Sequence, residues 1–201
     1  MQASERSAMI HILDTVKPDV SIEVGTFMAG SLRPIAAASR EVHTFDIDRR
    51  IYDGLPNVTF HTGDSSETLP PVIREINESN RELDFVLIDG DHSELGVRKD
   101  IISVLQYRPK TRPTVIVMHD SSNPAVRKGI AEAPWNDCPY VHEVNLDFVP
   151  GVLYSREDLK GQIWGGLATA ILTPAPREGY VNIQRPFEAS LQAMLAESIY
   201  N

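Results

Sequence analysis

Short β-branched runs that stop at glycine or aspartate, alternating with helical stripes, constrain this chain more than any other feature. Val20 to Val24 stops at Gly25 and Val42 to Phe45 stops at Asp46; Val58 to His61, Phe85 to Ile88 and Thr114 to Met118 follow. Between them Val72, Ile73 and Ile76, and then Val97, Ile101, Val104 and Leu105, recur at helical spacing. Ahead of them Met9, Ile12, Leu13 and Val16 predict a helix from about Ser4 to Val16, closed by Lys17-Pro18. Such alternation requires right-handed crossovers. The expected fold is α/β, doubly wound, with a mostly parallel sheet covered by helices on both faces. After Met118 the rhythm changes: Tyr140 to Leu146 and Leu167 to Leu172 read as two strands around a long connection, and Phe187, Leu191, Met194 and Leu195 as a final helix.

A chain of 201 residues with neither repeats nor an interdomain linker reads as one domain over 1–201. No apolar stretch is long enough to span a bilayer, and the first residues lack the order of a signal peptide. The lone Cys138 fits a reducing compartment, so a cytoplasmic protein without membrane partners is expected. A net charge of −9 would repel a phosphate backbone, which disfavours nucleic acid as a partner.

In doubly wound sheets ligands bind beyond the carboxyl ends of the strands. Gly25-Thr26-Phe27-Met28-Ala29-Gly30-Ser31 leaves a strand and enters a helix there; Gly25 admits a tight turn and a close ligand, and Thr26 and Ser31 offer hydroxyls and amides. The spacing is not the three-glycine dinucleotide fingerprint. About twenty residues on, Asp46 ends a strand where a carboxylate can accept ribose hydroxyls, with Asp48 as neighbour. Either acid also suits a helix cap, and Asp64-Ser65 suits an adenine edge and a helix N-cap equally.

Three passages, Ile22-Glu23-Val24-Gly25-Thr26 with Ser31, Thr44-Phe45-Asp46-Ile47-Asp48, and Asp84 to Ser93, resemble the class I S-adenosylmethionine-dependent methyltransferases. With Val115 to Asp120 they are most similar to small-molecule O-methyltransferases of the macrocin and catechol types. The resemblance implies a seven-stranded sheet with an antiparallel strand near the C-terminus, and S-adenosyl-L-methionine as cofactor. It places Glu23 near the methionine amino group, Gly25, Thr26 and Ser31 at the methionine part, Asp46 on the ribose, Asp64 and Ser65 near the adenine, and Asp89 at the reacting centre. Ala29 departs from it, standing where relatives have a second glycine.

Asp89, Asp91, His92, His119 and Asp120 should meet above adjacent strand ends, an arrangement that is costly unless they bind something. Two chemistries fit. A divalent ion, magnesium or, with a histidine in the set, manganese, would take Asp89, His119 and Asp120. Without metal, one base suffices: His92 is the candidate, with Asp91 second and a helix cap as the alternative for His92. His11, His43, His61 and His142 read as structural or exposed, Asp100 as solvated and Cys138 as a packing residue.

The 147–166 segment and Trp135 carry the aromatics that would cover an acceptor or pack a homo-oligomer interface. The resulting expectation is methyl transfer to a hydroxyl of a small molecule such as a sugar, polyketide or phenol. The alternatives are a non-catalytic cofactor-binding subunit and a hydroxylase component with the same core.

Overall fold

The computed structural model describes residues 1–200. Its elements follow the expected alternation: α1 Ala3–Val16, β1 Val20–Val24, α2 Leu32–Ala38, β2 Glu41–Asp46, β3 Val58–Thr62, α3 Ser65–Glu78, β4 Leu83–Ile88, α4 Glu94–Val104, β5 Thr114–His119 and α5 Pro124–Ala131. Next come β6 Val141–Val149, β7 Val152–Leu153, β8 Ile163–Trp164, β9 Leu167–Leu172, β10 Asn182–Gln184 and α6 Glu188–Ala196. No helix among the described residues is long and apolar enough to cross a membrane.

The main sheet has the order β10-β6-β9-β5-β4-β1-β2-β3. β1 pairs in parallel with both β2 and β4, so the chain order reverses between β1 and β4. β9 runs antiparallel between β5 and β6. The seven strands implied by the family resemblance are thus filled, and an eighth, β10, adds three residues in parallel to the outer edge of β6. Inside the 147–166 segment β7 and β8 form a small antiparallel ribbon of their own.

The inner strands β1, β2, β4, β5 and β9 are buried on both faces over most of their length, which explains their unbroken apolar runs. The period of two then divides the core. Val86 and Ile88, Ile116 and Met118, and Ala168 and Ala170 pack with residues of α3, α4 and α5. Phe85 and Leu87, Val117 and Leu167 pack with Met9 and Leu13 of α1 and Leu32 and Ile35 of α2. Trp135, expected to cover an acceptor or pack an interface, is instead in the first of these clusters, 1% exposed, its indole N–H donated to the Ile130 carbonyl at 2.7 Å. Cys138 is buried as a packing residue, and burial pushes its thiol up.

Candidate active site

Every group singled out at a strand end lies at the carboxyl edge of the sheet, around the β1/β4 reversal. Gly25 leaves β1 with φ +98° and its N–H donates to the Phe45 carbonyl at 2.8 Å. A Cβ there would sit 2.6 Å from the Asp89 carbonyl carbon, so glycine is demanded both by backbone angle and by the close approach of β4. Ala29 has φ +57° and is fully buried. The turn keeps a path that glycine favours, at a cost of roughly 1–2 kcal/mol for the alanine.

Two hollows meet over this turn. The larger, of 460 Å³, is lined by Gly25, Phe27, Asp46, Asp64, Ser65 and Asp91 among others. The smaller, of 220 Å³, is lined by Arg6, Gly25, Thr26, Ser31 and Asp89 with their neighbours. A 650 Å³ hollow beside Tyr107 and Cys138 lies at the opposite, amino end of the strands, away from all of these groups.

In the larger hollow Asp46 accepts N–H groups from Phe27 at 2.8 Å and Asp48 at 2.9 Å, with the Arg50 guanidinium 3.7 Å away. A carboxylate has about four lone-pair sites, so capacity for hydroxyl donors remains. Asp48 is turned outward to Arg50 at 2.9 Å. Asp64 caps α3 by accepting the Ser66 N–H at 2.8 Å, and it also lines the hollow; capping and lining coexist. Ser65 donates to Asp100 at 2.5 Å. Asp100 is therefore not the solvated helix residue expected: it is 2% exposed, and burial pushes its carboxyl up to about 6.

Beneath the smaller hollow Glu23 has no exposed surface. Ser31 and Thr44 donate to its two oxygens at 2.6 and 2.7 Å, and Thr44 in turn meets the Thr26 hydroxyl at 2.6 Å. Glu23 is therefore the root of a hydroxyl chain that fixes Thr26 and Ser31, rather than an acid open to the hollow.

Burial pushes the Glu23 carboxyl up to about 8. The folded state then holds a proton that the unfolded chain has released above about 4.5, so stability falls as pH rises from about 4.5 to 8. Glu23→Gln is expected to abolish that slope. Its melting temperature should approach or exceed the unsubstituted chain's at pH 9 and not at pH 5; parallel melting curves across this range would refute the buried neutral acid.

The reacting groups follow β4 and β5. Asp89 and Asp120 face each other with two imidazoles between them. His119 Nδ1 is 2.9 Å from Asp89 and 3.4 Å from Asp120, while His92 Nε2 is 3.5 and 3.4 Å from the same two oxygens. The other nitrogen of His119 reaches Glu5 of α1 at 3.1 Å. Burial disfavours a charged His119, yet the carboxylates of Asp120, Asp89 and Glu5 prevail and push it up to about 11. Burial likewise opposes the charge of Asp89, but the His119 and His92 rings hold its carboxyl down at about 2.

These contacts correct the expected metal set. Both His119 nitrogens are occupied by carboxylates and its side chain is 8% exposed, so it offers no free lone pair. The oxygen and nitrogen atoms that do converge, within 4.8 Å of one another, belong to Asp89, His92 and Asp120. His92 is free for this because Ser93, not His92, caps α4, accepting the Gly96 N–H at 3.0 Å. Asp91 accepts the Ser93 N–H at 2.9 Å in the same turn.

Glu5 is the residue that the sequence reading missed. It is fully buried, and it also accepts N–H groups from Gln2 and, at 2.7 Å, from Gly166. Asp120 accepts the Gly165 N–H at 2.7 Å, so the end of the 147–166 segment is tied to the reacting centre at two points. Trp164 in that segment meets the His92 ring edge-on, with centroids 5.7 Å apart. His43 and His61 are instead paired with each other at 3.0 Å, and His142 with the Ala175 carbonyl at 2.9 Å, in structural roles.

Residues 22–121 match the methyltransferase-domain family. No curated protein sequence matches the chain. Among solved structures, cofactor-bound Rv0187 from MTB has a TM-score of 0.58 at 16% identity, over 86% of this chain and 81% of that one. An O-methyltransferase from Bacillus cereus in complex with SAH gives 0.57 at 15%, over 86% and 82%. MycE methyltransferase of mycinamycin biosynthesis, in complex with Mg and SAH, gives 0.57 at 16%, over 94% of this chain and 53% of the longer MycE chain. At these identities the likeness is one of fold.

Proposed function

We propose that this chain, which carries a methyltransferase domain at residues 22–121, is an S-adenosylmethionine-dependent O-methyltransferase acting on a hydroxyl of a small molecule. The observation that carries the reading is the pair of hollows that share Gly25 and Phe27, one lined by Asp46 and the other by Asp89, whose carboxylate is 3.5 Å from His92 Nε2. Residues 1–201 then act as one cofactor-binding domain.

Asp46 would take the ribose hydroxyls and Asp64 and Ser65 the adenine edge; Thr26 and Ser31, fixed from below by Glu23, would meet the methionine part. When bound, the cofactor supplies an electrophilic methyl group on a sulfonium, whose positive charge the carboxylate of Asp89 favours. Transfer needs a deprotonated acceptor oxygen in line with that methyl. His92 Nε2 would take the hydroxyl proton, leaving the acceptor oxygen free to receive the methyl group as the methyl–sulfur bond breaks and the neutral thioether S-adenosylhomocysteine is left. Asp89 and Asp120, at 3.5 and 3.4 Å from Nε2, stabilise the imidazolium it becomes. Trp164 beside His92 gives the acceptor an apolar wall, and the tie of Gly165 and Gly166 to Asp120 and Glu5 holds that wall over the centre.

A second reading rests on the convergence of Asp89, His92 and Asp120. Two carboxylates and an imidazole suit an ion of the manganese type better than magnesium, and such an ion would hold the acceptor oxygen and lower its pKa. His92 is then a ligand and not the base.

His92→Ala separates the two. As a base substitution it should lower kcat about 10²- to 10⁴-fold with the S-adenosylmethionine Kd unchanged and no manganese bound before or after. Manganese binding by the unsubstituted chain, seen by electron paramagnetic resonance and lost in His92→Ala, would replace the base reading with the metal one. Calorimetry showing no binding of S-adenosylmethionine or S-adenosylhomocysteine would overturn both.

A further inference from the structure

We propose that Arg6 of α1 binds the α-carboxylate of the cofactor's methionine end, making the N-terminal helix part of the cofactor site. The proposal rests on the S-adenosylmethionine reading above. It starts from the 220 Å³ hollow, which has a single cationic side chain, Arg6, and a single anionic one, Asp89, among its lining residues. Side-chain charges of opposite sign in so small a space match the zwitterionic end of an amino acid better than a simple cation or a simple anion.

The placement of Arg6 follows from its neighbour. Glu5 and Met9 are buried, so α1 is docked with a fixed rotation, and Arg6, next in sequence to Glu5, stands on the exposed side at the rim of the hollow. Glu5 locks that rotation through His119 and Gly166. The chain carries nine more acidic than basic charges, and Arg50, Arg81, Arg112, Arg127 and Arg156 are all ion-paired. Arg6 has no ion pair or side-chain hydrogen bond among the described residues. Its planar fork is thus free to take a carboxylate in two parallel N–H···O bonds, the strongest geometry for that pair. The carboxylate of Asp89, in the lining of the same hollow, remains as the partner for the ammonium group.

The test compares S-adenosylmethionine with decarboxylated S-adenosylmethionine, which keeps the sulfonium, adenosine and amine and lacks only the carboxylate. By calorimetry, the unsubstituted chain should prefer S-adenosylmethionine by about 10-fold or more, the size of a charge-assisted pair. Arg6→Gln should reduce this ratio to about 1–2 by weakening S-adenosylmethionine alone, and Arg6→Lys should retain part of it. Arg6 is exposed, so the melting temperature of both variants should match the parent's. A ratio unchanged in Arg6→Gln, or an equal loss for both ligands, overturns the assignment. Failure of the unsubstituted chain to bind either ligand overturns the cofactor reading itself, and the Arg6 assignment falls with it.

Discussion

Gly25→Ala is expected to remove S-adenosylmethionine binding altogether and to destabilise the fold by several kcal/mol. Two independent costs act at this one position. Alanine at φ +98° lies outside the regions open to an L side chain, and its Cβ would stand 2.6 Å from the Asp89 carbonyl carbon and 3.0 Å from Gly90 Cα. Neither neighbour is a side-chain end that can rotate aside. The only relief is to part β1 from β4, and those ends are tied by the Asp89 N–H on the Val24 carbonyl at 2.8 Å. Parting them widens the line along which the two hollows join and moves Asp89 away from His119. Gly30→Ala is the control, because a Cβ there meets nothing within 4 Å and its φ is not in the left-handed region. Thermal melts and calorimetry on the two variants should therefore differ sharply. Near-parental binding by Gly25→Ala would show that the cofactor does not cross this turn.

The carboxyl-edge residues were legible because a parallel sheet does the assembly for them. Once the β-branched runs are read as neighbouring strands of one direction, Gly25, Asp46, Asp89 and Asp120, which terminate or follow them, must share an edge whatever the loops do. What escaped the reading depends on pairing across long separations. Glu5 stands at no strand end, and nothing near it in sequence signals that its partner is His119, 114 residues away. Once Glu5 is in place His119 has no nitrogen to spare, which is why the expected ligand set fails at that residue. Asp100 escaped similarly: its partner Ser65 is 35 residues distant, and a lone acid within an apolar stripe reads as solvated. A usable signal was present at both positions, since each acid lies one helical turn from a buried apolar residue, Glu5 four residues before Met9 and Asp100 three residues after Val97. The edge strand β10 had no such signal. Asn182-Ile183-Gln184 has no apolar alternation to speak of, and its pairing exists only because β6 offers an open edge.

His119→Leu is expected to cost about 3–5 kcal/mol of stability, the toll of leaving a buried carboxylate without its counter-charge. Glu5 would keep only N–H donors from Gln2 and Gly166, and Asp89 would lose the nearer of its two imidazoles. Glu5→Gln keeps an acceptor for the Gly166 N–H and removes only the charge, so its own cost should be smaller. The double variant should then be more stable than the sum of the two singles predicts, by about 1–3 kcal/mol, because the second substitution removes a charge that the first has stranded. The pH dependence fixes the origin of the coupling. His119 is held well above its ordinary 6.5, at about 11, so its contribution is full below pH 6.5 and drains away as pH rises toward 11. Glu5 is held down at about 2 from 4.5, so its contribution is full above pH 4.5 and is lost as pH falls toward 2. The stability gap between the parent and His119→Leu should accordingly be widest between pH 4.5 and 6.5 and narrow by pH 9, read by urea unfolding at each pH. A gap that does not change over that range would mean a neutral His119 held by packing. The imidazolium between Glu5, Asp89 and Asp120 would then no longer explain how three carboxylates can share the centre of the site.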